Sequence, residues 1–96
     1  MIAAVLEPII RRAVLDLVED TGGEINDEMI TILLNELGHR VARSDVRLVM
    51  AWCDGYGLLK TEKLGPYIVA RSTSEGRDVA NGLQRVEGVS RHKTGE

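Results

Sequence analysis

The sequence has 96 residues, of which 44% are hydrophobic and 28% charged, and its formal net charge is −3. This length suits one soluble domain with a single core, and we expect no second domain in it. Only three residues are aromatic, so the core has to be built from aliphatic side chains. That composition favours packed helices over a β-sandwich.

Several classes of protein are disfavoured at once. The single cysteine cannot form an internal disulfide and no secretion signal is evident, so we expect a cytoplasmic protein. The apolar runs are too short to cross a membrane. The histidines and the cysteine match no zinc pattern, so no metal or other cofactor is expected. Cys53 lies in an apolar helical stripe, where a thiol is usually inert, and we expect no catalytic residue and no enzyme.

The first predicted helix runs from about Pro8 to Asp20, because Pro8 suits a first helical turn and Gly22-Gly23 ends the apolar periodicity. Residues 1–7 before it form an apolar arm. Such an arm is predicted to cover the core or to contact a partner.

The second and third predicted helices are separated by a short turn. The second follows Asn26, a good N-cap, and stops at Gly38; the third is predicted to be capped by Ser44 and to stop at Gly55. The buried side of the third helix is predicted to carry Val46, Val49, Met50 and Cys53. Two helices joined in this way indicate a helix-turn-helix.

The periodicity changes after the third helix. Residues 58–64 and 67–73 are rich in strand formers and flank Gly65-Pro66, which predicts a β-hairpin with that dipeptide at its tip. A last helix is predicted from about Ser74 to Val86, with Leu83 on its apolar face. The domain is therefore predicted to span residues 1–86, with a flexible C-terminal tail over residues 87–96.

These elements together predict an α+β, mainly helical fold: a winged helix-turn-helix in which the hairpin is the wing. The charge distribution agrees with a nucleic-acid role for part of it. Residues 1–38 carry two basic and eight acidic residues, whereas residues 39–72 carry six basic and three acidic ones. The middle third is thus a basic segment in an acidic chain.

Position in the motif selects the candidate contacts to duplex DNA. They are Arg40, Arg43, Ser44, Arg47, Lys60, Lys63 and Tyr67. Arg40 and Arg43 are expected to contact phosphates, and Arg47 a guanine edge. The alternative is that these are ordinary solvated basic side chains.

A second apolar face of the third helix suggests a different kind of surface. Leu48 and Trp52 are four residues apart and lie off the predicted core face. Either Trp52 packs under the hairpin, or these two residues form a homodimer or partner interface with Ile2 and Val5 of the arm.

The order of segments also resembles a known family. The stretch ELGHRVARSDVRLVMAWCDGYGLL, the hairpin KLGPYIVARST, the segment TSEGRDVANG and the GVSR of residues 88–91 are similar to a family of small Mu-like prophage proteins of unassigned role. The resemblance implies a phage or prophage origin, a bacterial host and a winged-helix body. It implies a DNA-linked role only by inference.

We therefore expect a non-catalytic phage or prophage protein that binds duplex DNA or regulates transcription. The alternative is a winged-helix module for protein contact in phage assembly or regulation. The acidic first third suits that second role.

Overall fold

The structure is a computed structural model that describes residues 1–91. Within this range, four α-helices and a three-stranded antiparallel sheet follow a short 3-10 turn at Ala4–Leu6, which confirms the α+β class. The elements are α1 (Glu7–Asp20), β1 (Glu24–Asn26), α2 (Asp27–Glu36), α3 (Arg43–Gly55), β2 (Leu59–Leu64), β3 (Tyr67–Ser72) and α4 (Ser74–Ala80).

α1 begins within one residue of its predicted start, because Pro8 stands in the first turn, where a missing N–H breaks no helical hydrogen bond. It ends at Asp20 as predicted, and Gly22 then adopts a φ of 87° that other residues avoid. Its buried face includes the predicted aliphatic residues Ile10, Ala13, Val14 and Val18.

The caps of α2 and α3 differ in how well the sequence predicts them. The Asn26 side chain accepts a hydrogen bond from the Met29 N–H at 2.8 Å, as predicted. α3, however, has Ala42 as its N-cap, and the Asp45 carboxylate accepts the Ala42 N–H at 2.9 Å. The prediction that Ser44 caps α3 is therefore wrong. Asp45 supplies the stronger charged acceptor, and Ser44 lies exposed in the first turn.

The sheet contains the predicted hairpin and one unpredicted strand. β2 and β3 pair antiparallel on either side of Gly65-Pro66, which confirms the position of the tip. β1 pairs with the other edge of β3 and gives the order β1-β3-β2. A strand of three residues is too short to show an alternating pattern, so the sequence does not predict it.

The core lies between α1, α2, α3 and one face of the sheet, and its buried hydrophobic side chains are aliphatic apart from Met50 and Cys53. The sheet contributes Ile25, Leu59 and Ala70, which are all buried. The largest fully buried side chains are Leu15, Ile30, Leu34, Met50 and Leu58.

α4 is shorter than predicted. It ends at Ala80, Gly82 takes a φ of 76°, and the Leu83 N–H donates back to the Asp78 carbonyl at 2.8 Å. This turn redirects the chain, so Leu83 is 77% exposed instead of packing on the core. The prediction of a helix through Val86 is wrong because Gly82 ends it.

Residues 87–91 pack against α1, which corrects the prediction that a flexible tail starts at residue 87. Val89 is buried, and the buried Arg12 guanidinium donates hydrogen bonds to the carbonyls of Ser90 at 3.3 Å and Arg91 at 3.2 Å. The last five residues of the predicted tail lie outside the described range.

The close approach of α4 to the chain before β2 generates a stability prediction. A Cβ on Gly76 would lie 1.9 Å from the Leu58 carbonyl oxygen, so the backbone has to move to accept it. We expect Gly76→Ala to lower the free energy of unfolding by about 2–3 kcal/mol, measured by urea denaturation. The control is Gly55→Ala, since a Cβ there meets nothing within 4 Å. Equal stabilities of the two variants would contradict the packing of α4.

Candidate nucleic-acid interface

One buried carboxylate connects α2, α3 and the hairpin. Asp27 is the first residue of α2, and its side chain is 0% exposed. Its Oδ2 accepts hydrogen bonds from Arg43 Nε at 2.8 Å and Arg47 Nε at 2.6 Å. Its Oδ1 accepts the backbone N–H of Ile68 at 3.0 Å and Arg43 Nη2 at 3.4 Å. Three elements therefore meet at a single side chain.

The two arginines also reach the hairpin tip. Arg43 and Arg47 lie one helical turn apart on the same side of α3, and their Nη2 atoms donate to the Pro66 carbonyl at 2.7 and 2.9 Å. Their side chains remain 38% and 37% exposed. We call Asp27, Arg43, Arg47, Pro66 and Ile68 the junction.

The junction controls the ionisation of its own carboxylate. Burial by itself would raise the pKa of Asp27, but hydrogen bonds from Arg43, Arg47 and the Ile68 N–H outweigh it and hold the pKa well below its usual range. The hydrogen bond to Asp27 in turn raises the pKa of Arg43. Near neutral pH the junction therefore contains one negative and two positive charges.

The base of the hairpin is attached to α3 at a second point. The Asp54 carboxylate accepts hydrogen bonds from the Thr61 hydroxyl at 2.5 Å and the Thr61 N–H at 3.0 Å. These bonds lower the pKa of Asp54. The hairpin is thus tied to α3 near its base by Asp54 and at its tip by the junction.

The residues predicted to contact DNA lie in different environments. Arg40 and Ser44 are exposed, just before and within the first turn of α3. Arg43 and Arg47 belong to the junction, and their side chains are partly buried. Tyr67 is 37% exposed beside the hairpin tip, and the Arg43 guanidinium carbon lies 5.5 Å from its ring centroid. Exposed and internally bonded basic groups therefore lie side by side.

The two hairpin lysines lie on opposite faces of the sheet. Side chains alternate along a strand, and Lys60 and Lys63 are three residues apart on β2. Lys63 shares its face with the buried Leu59 and with Thr61, which is bonded to α3. Lys63 therefore stands on the α3 side of the hairpin, whereas Lys60 stands on the other side.

The four residues predicted for a partner interface separate into two pairs. Val5 is 79% exposed and Leu48 is 72% exposed, so both present apolar surface. Ile2 and Trp52 are partly buried and pack against the core of their own chain.

Trp52 packs in a way that neither sequence interpretation describes. Its ring stacks with Tyr56 at a centroid distance of 4.3 Å, and the Arg11 guanidinium carbon lies 3.9 Å from its centroid. A Cβ on Gly88 would lie only 2.9 Å from the Trp52 ring. The indole therefore packs between α1, the end of α3 and the C-terminal segment.

Other chemistry is sparse in the part of the chain that the structure describes. Burial raises the pKa of Cys53 to about 12, with a smaller opposing effect of Arg11, so the thiolate is a negligible fraction at neutral pH. Among residues 1–91, no group of histidine, cysteine, aspartate and glutamate side chains could hold a metal ion. The described helices include none that is long and apolar enough to cross a membrane.

Comparison with known proteins identifies a relative of this chain. It is 35% identical over 91 residues to a protein of Escherichia phage Mu described as "Uncharacterized protein gp26", and the match covers 95% of each chain. The chain belongs to the family of this Mu protein. This confirms the predicted similarity to Mu-like phage proteins. No protein-family model matches it, and no solved structure matches it significantly.

In this member of the gp26 family, the sequence does not show that Asp27 is buried and pairs with two arginines. At the start of a helix it is typical of a side chain that stabilises the helix dipole from the surface. The spacing of Arg43 and Arg47 is a partial signal, since two arginines four residues apart can share one acidic partner. Nothing in the sequence says which of the acidic residues that partner is.

The lowered pKa of Asp27 predicts an acid-dependent loss of stability. In the unfolded chain the pKa of Asp27 is about 3.9. As the pH falls through that value, the unfolded state binds more protons than the folded state, and the free energy of unfolding decreases. Asp27→Asn should cost about 3–5 kcal/mol at pH 7, because both arginines lose their anion. The difference from wild type should shrink at pH 3, as measured by urea denaturation. A difference that is the same at both pH values would contradict the ionised junction.

Proposed function

We propose that the fold is a winged helix-turn-helix, with α2 and α3 as the paired helices and the β2–β3 hairpin as the wing. Residues 37–42 join the two helices, and the hairpin follows α3 directly. β1 pairs with β3, so the hairpin extends from a sheet beside the helix pair. This order supports the assignment, because the motif needs a second helix flanked by a projecting hairpin.

We further propose that the protein acts in the host cytoplasm as a non-catalytic protein that binds duplex DNA. The observation that carries this proposal is the junction, because it holds the first turns of α3 against the hairpin tip. Arg40, just before α3, and Lys63, next to the hairpin tip, are both exposed, and neither forms an ion pair within residues 1–91. The acidic member of the contact, Asp27, is buried and paired.

The proposed contacts favour phosphates over bases. On the outer side of α3, the exposed residues Ser44, Leu48 and Ala51 offer one hydroxyl group and otherwise apolar surface. Arg47, the predicted guanine contact, already donates from Nε and Nη2 to internal acceptors. Binding to a sequence-independent phosphate backbone fits this surface better than base-specific recognition, and a role in transcription regulation would rest on such binding.

The experiment measures duplex binding by fluorescence anisotropy over a series of salt concentrations. We expect binding that weakens with salt, and Arg40→Ala or Lys63→Ala should each reduce the slope of log K against log salt concentration by about 0.9. Lys60→Ala is the matched control for Lys63→Ala, since it removes the same charge from the opposite face. Arg85→Ala, in the exposed segment after α4, is the control for Arg40→Ala. A folded wild-type protein that binds no DNA at low salt would overturn the proposal.

A second candidate function is protein contact, in phage assembly or regulation. It is supported by the exposure of Val5 and Leu48 and by a groove of about 230 Å³ beside Leu48, whose wall includes Ile2 and Trp52. The occupant would be a second copy of the chain or another phage protein.

The homodimer form of this second proposal has a direct test. If Leu48 lies in a dimer interface, Leu48→Ser should shift the light-scattering mass from dimer to monomer, because the substitution removes apolar area from the interface. Leu83→Ser is the matched control, since Leu83 is similarly exposed in the segment after α4. A monomeric wild-type protein excludes the homodimer.

A further inference from the structure

We infer that Arg43 and Arg47 support DNA binding as positioning residues that hold the hairpin, and that Asp27 decides where the hairpin stands. The inference rests on the DNA-binding function proposed above. It changes the role of the two arginines, which their place in the sequence predicts to be direct DNA contacts.

The first step is the direction of the donors. Each arginine directs Nε to Asp27 and Nη2 to the Pro66 carbonyl, so each one bridges the start of α2 and the hairpin tip. The hairpin also contributes a backbone donor, because the Ile68 N–H donates a hydrogen bond to the same carboxylate. Asp27 is therefore connected to the hairpin directly, through the Ile68 N–H, and also through each of the two arginines.

Each arginine has two possible partners, Asp27 and a DNA phosphate, and pairing with Asp27 is the more favourable. Asp27 is 0% exposed, and a buried carboxylate that loses a cation is strongly destabilised. A phosphate at the surface is hydrated and offers a smaller net gain. The guanidinium groups therefore stay on Asp27 when DNA is bound, and only their Nη1 atoms and one Nη2 hydrogen of Arg47 are left to face it.

The third step is that the hairpin tip has little other support. β1 pairs with β3 only as far as Val69, and Leu64, Gly65 and Pro66 are all exposed beyond that point. The Asp54–Thr61 bonds act nearer the base. The position of the tip, and of Lys63 next to it, thus depends on the junction.

A double-mutant cycle with Lys63→Ala separates positioning from direct contact, because effects that act through one shared contact do not add. A phosphate contact contributes about 0.9 to the slope of log K against log salt concentration. Arg47→Ala and Asp27→Asn should weaken binding by about tenfold, because each displaces Lys63 from its phosphate, and neither should weaken binding further once Lys63 has been replaced by alanine. Lys63→Ala should lower the slope itself.

Arg47→Lys provides a sharper comparison, because it keeps the positive charge but has no planar fork to bridge Asp27 and Pro66. We expect it to bind DNA as weakly as Arg47→Ala. Wild-type affinity in Arg47→Lys, effects of Arg47→Ala and Lys63→Ala that add in the double variant, or tighter binding by Asp27→Asn would each overturn the inference.

Amide hydrogen exchange tests the positioning without DNA. The Ile68 N–H should exchange faster in Arg47→Lys, whereas the Thr61 N–H, held by Asp54, should be unchanged. If the wild-type protein binds no DNA, the proposed function fails, and the DNA half of the inference fails with it. The exchange rates still decide whether the junction holds the hairpin: equal rates at Ile68 in wild type and Arg47→Lys would show that it does not.

Discussion

The carboxylate of Asp27 is buried, and the hydrogen bonds and ion pairs that compensate its charge connect α2, α3 and the hairpin. It is satisfied by two arginines of α3 and one backbone N–H of the hairpin. Displacing any one of the three elements would leave a buried charge without full compensation, which is among the largest penalties a small domain can suffer. The hairpin tip, which extends beyond the β1–β3 pairing, thereby takes a defined place beside α3.

This pairing also decides which charges the surface presents. The chain is acidic overall, yet the acidic residue closest to the α3–hairpin contact is neutralised inside it. Arg40, just before α3, and Lys63, next to the hairpin tip, are exposed, and Lys60 is directed to the other face of the sheet by strand alternation. Val5 and Leu48 are exposed apolar side chains. The fold therefore exposes both basic and apolar side chains, and the two proposed functions use different ones.

Much of the fold follows from local patterns in the sequence. The three long helices, the Asn26 cap and the hairpin tip could be predicted because periodicity, capping and turn preferences act over a few residues. β1 could not, since it exists only by pairing with β3, which lies over forty residues later. The packing of residues 87–91 depends on the buried Arg12, whose partners in this segment are backbone carbonyls that carry no sequence signature.

The sequence by itself determined the α+β class, the two turn-linked helices, the hairpin after them and the basic character of the middle third. It also placed arginines at the start of α3, where a helix-turn-helix would use them. Only the tertiary structure decided that Arg43 and Arg47 turn toward Asp27, that Lys60 and Lys63 separate, and that Trp52 packs on Arg11. The reason is physical: a side chain's partner is chosen by which groups are brought within a few ångströms and shielded from water, and that depends on residues far away in the chain.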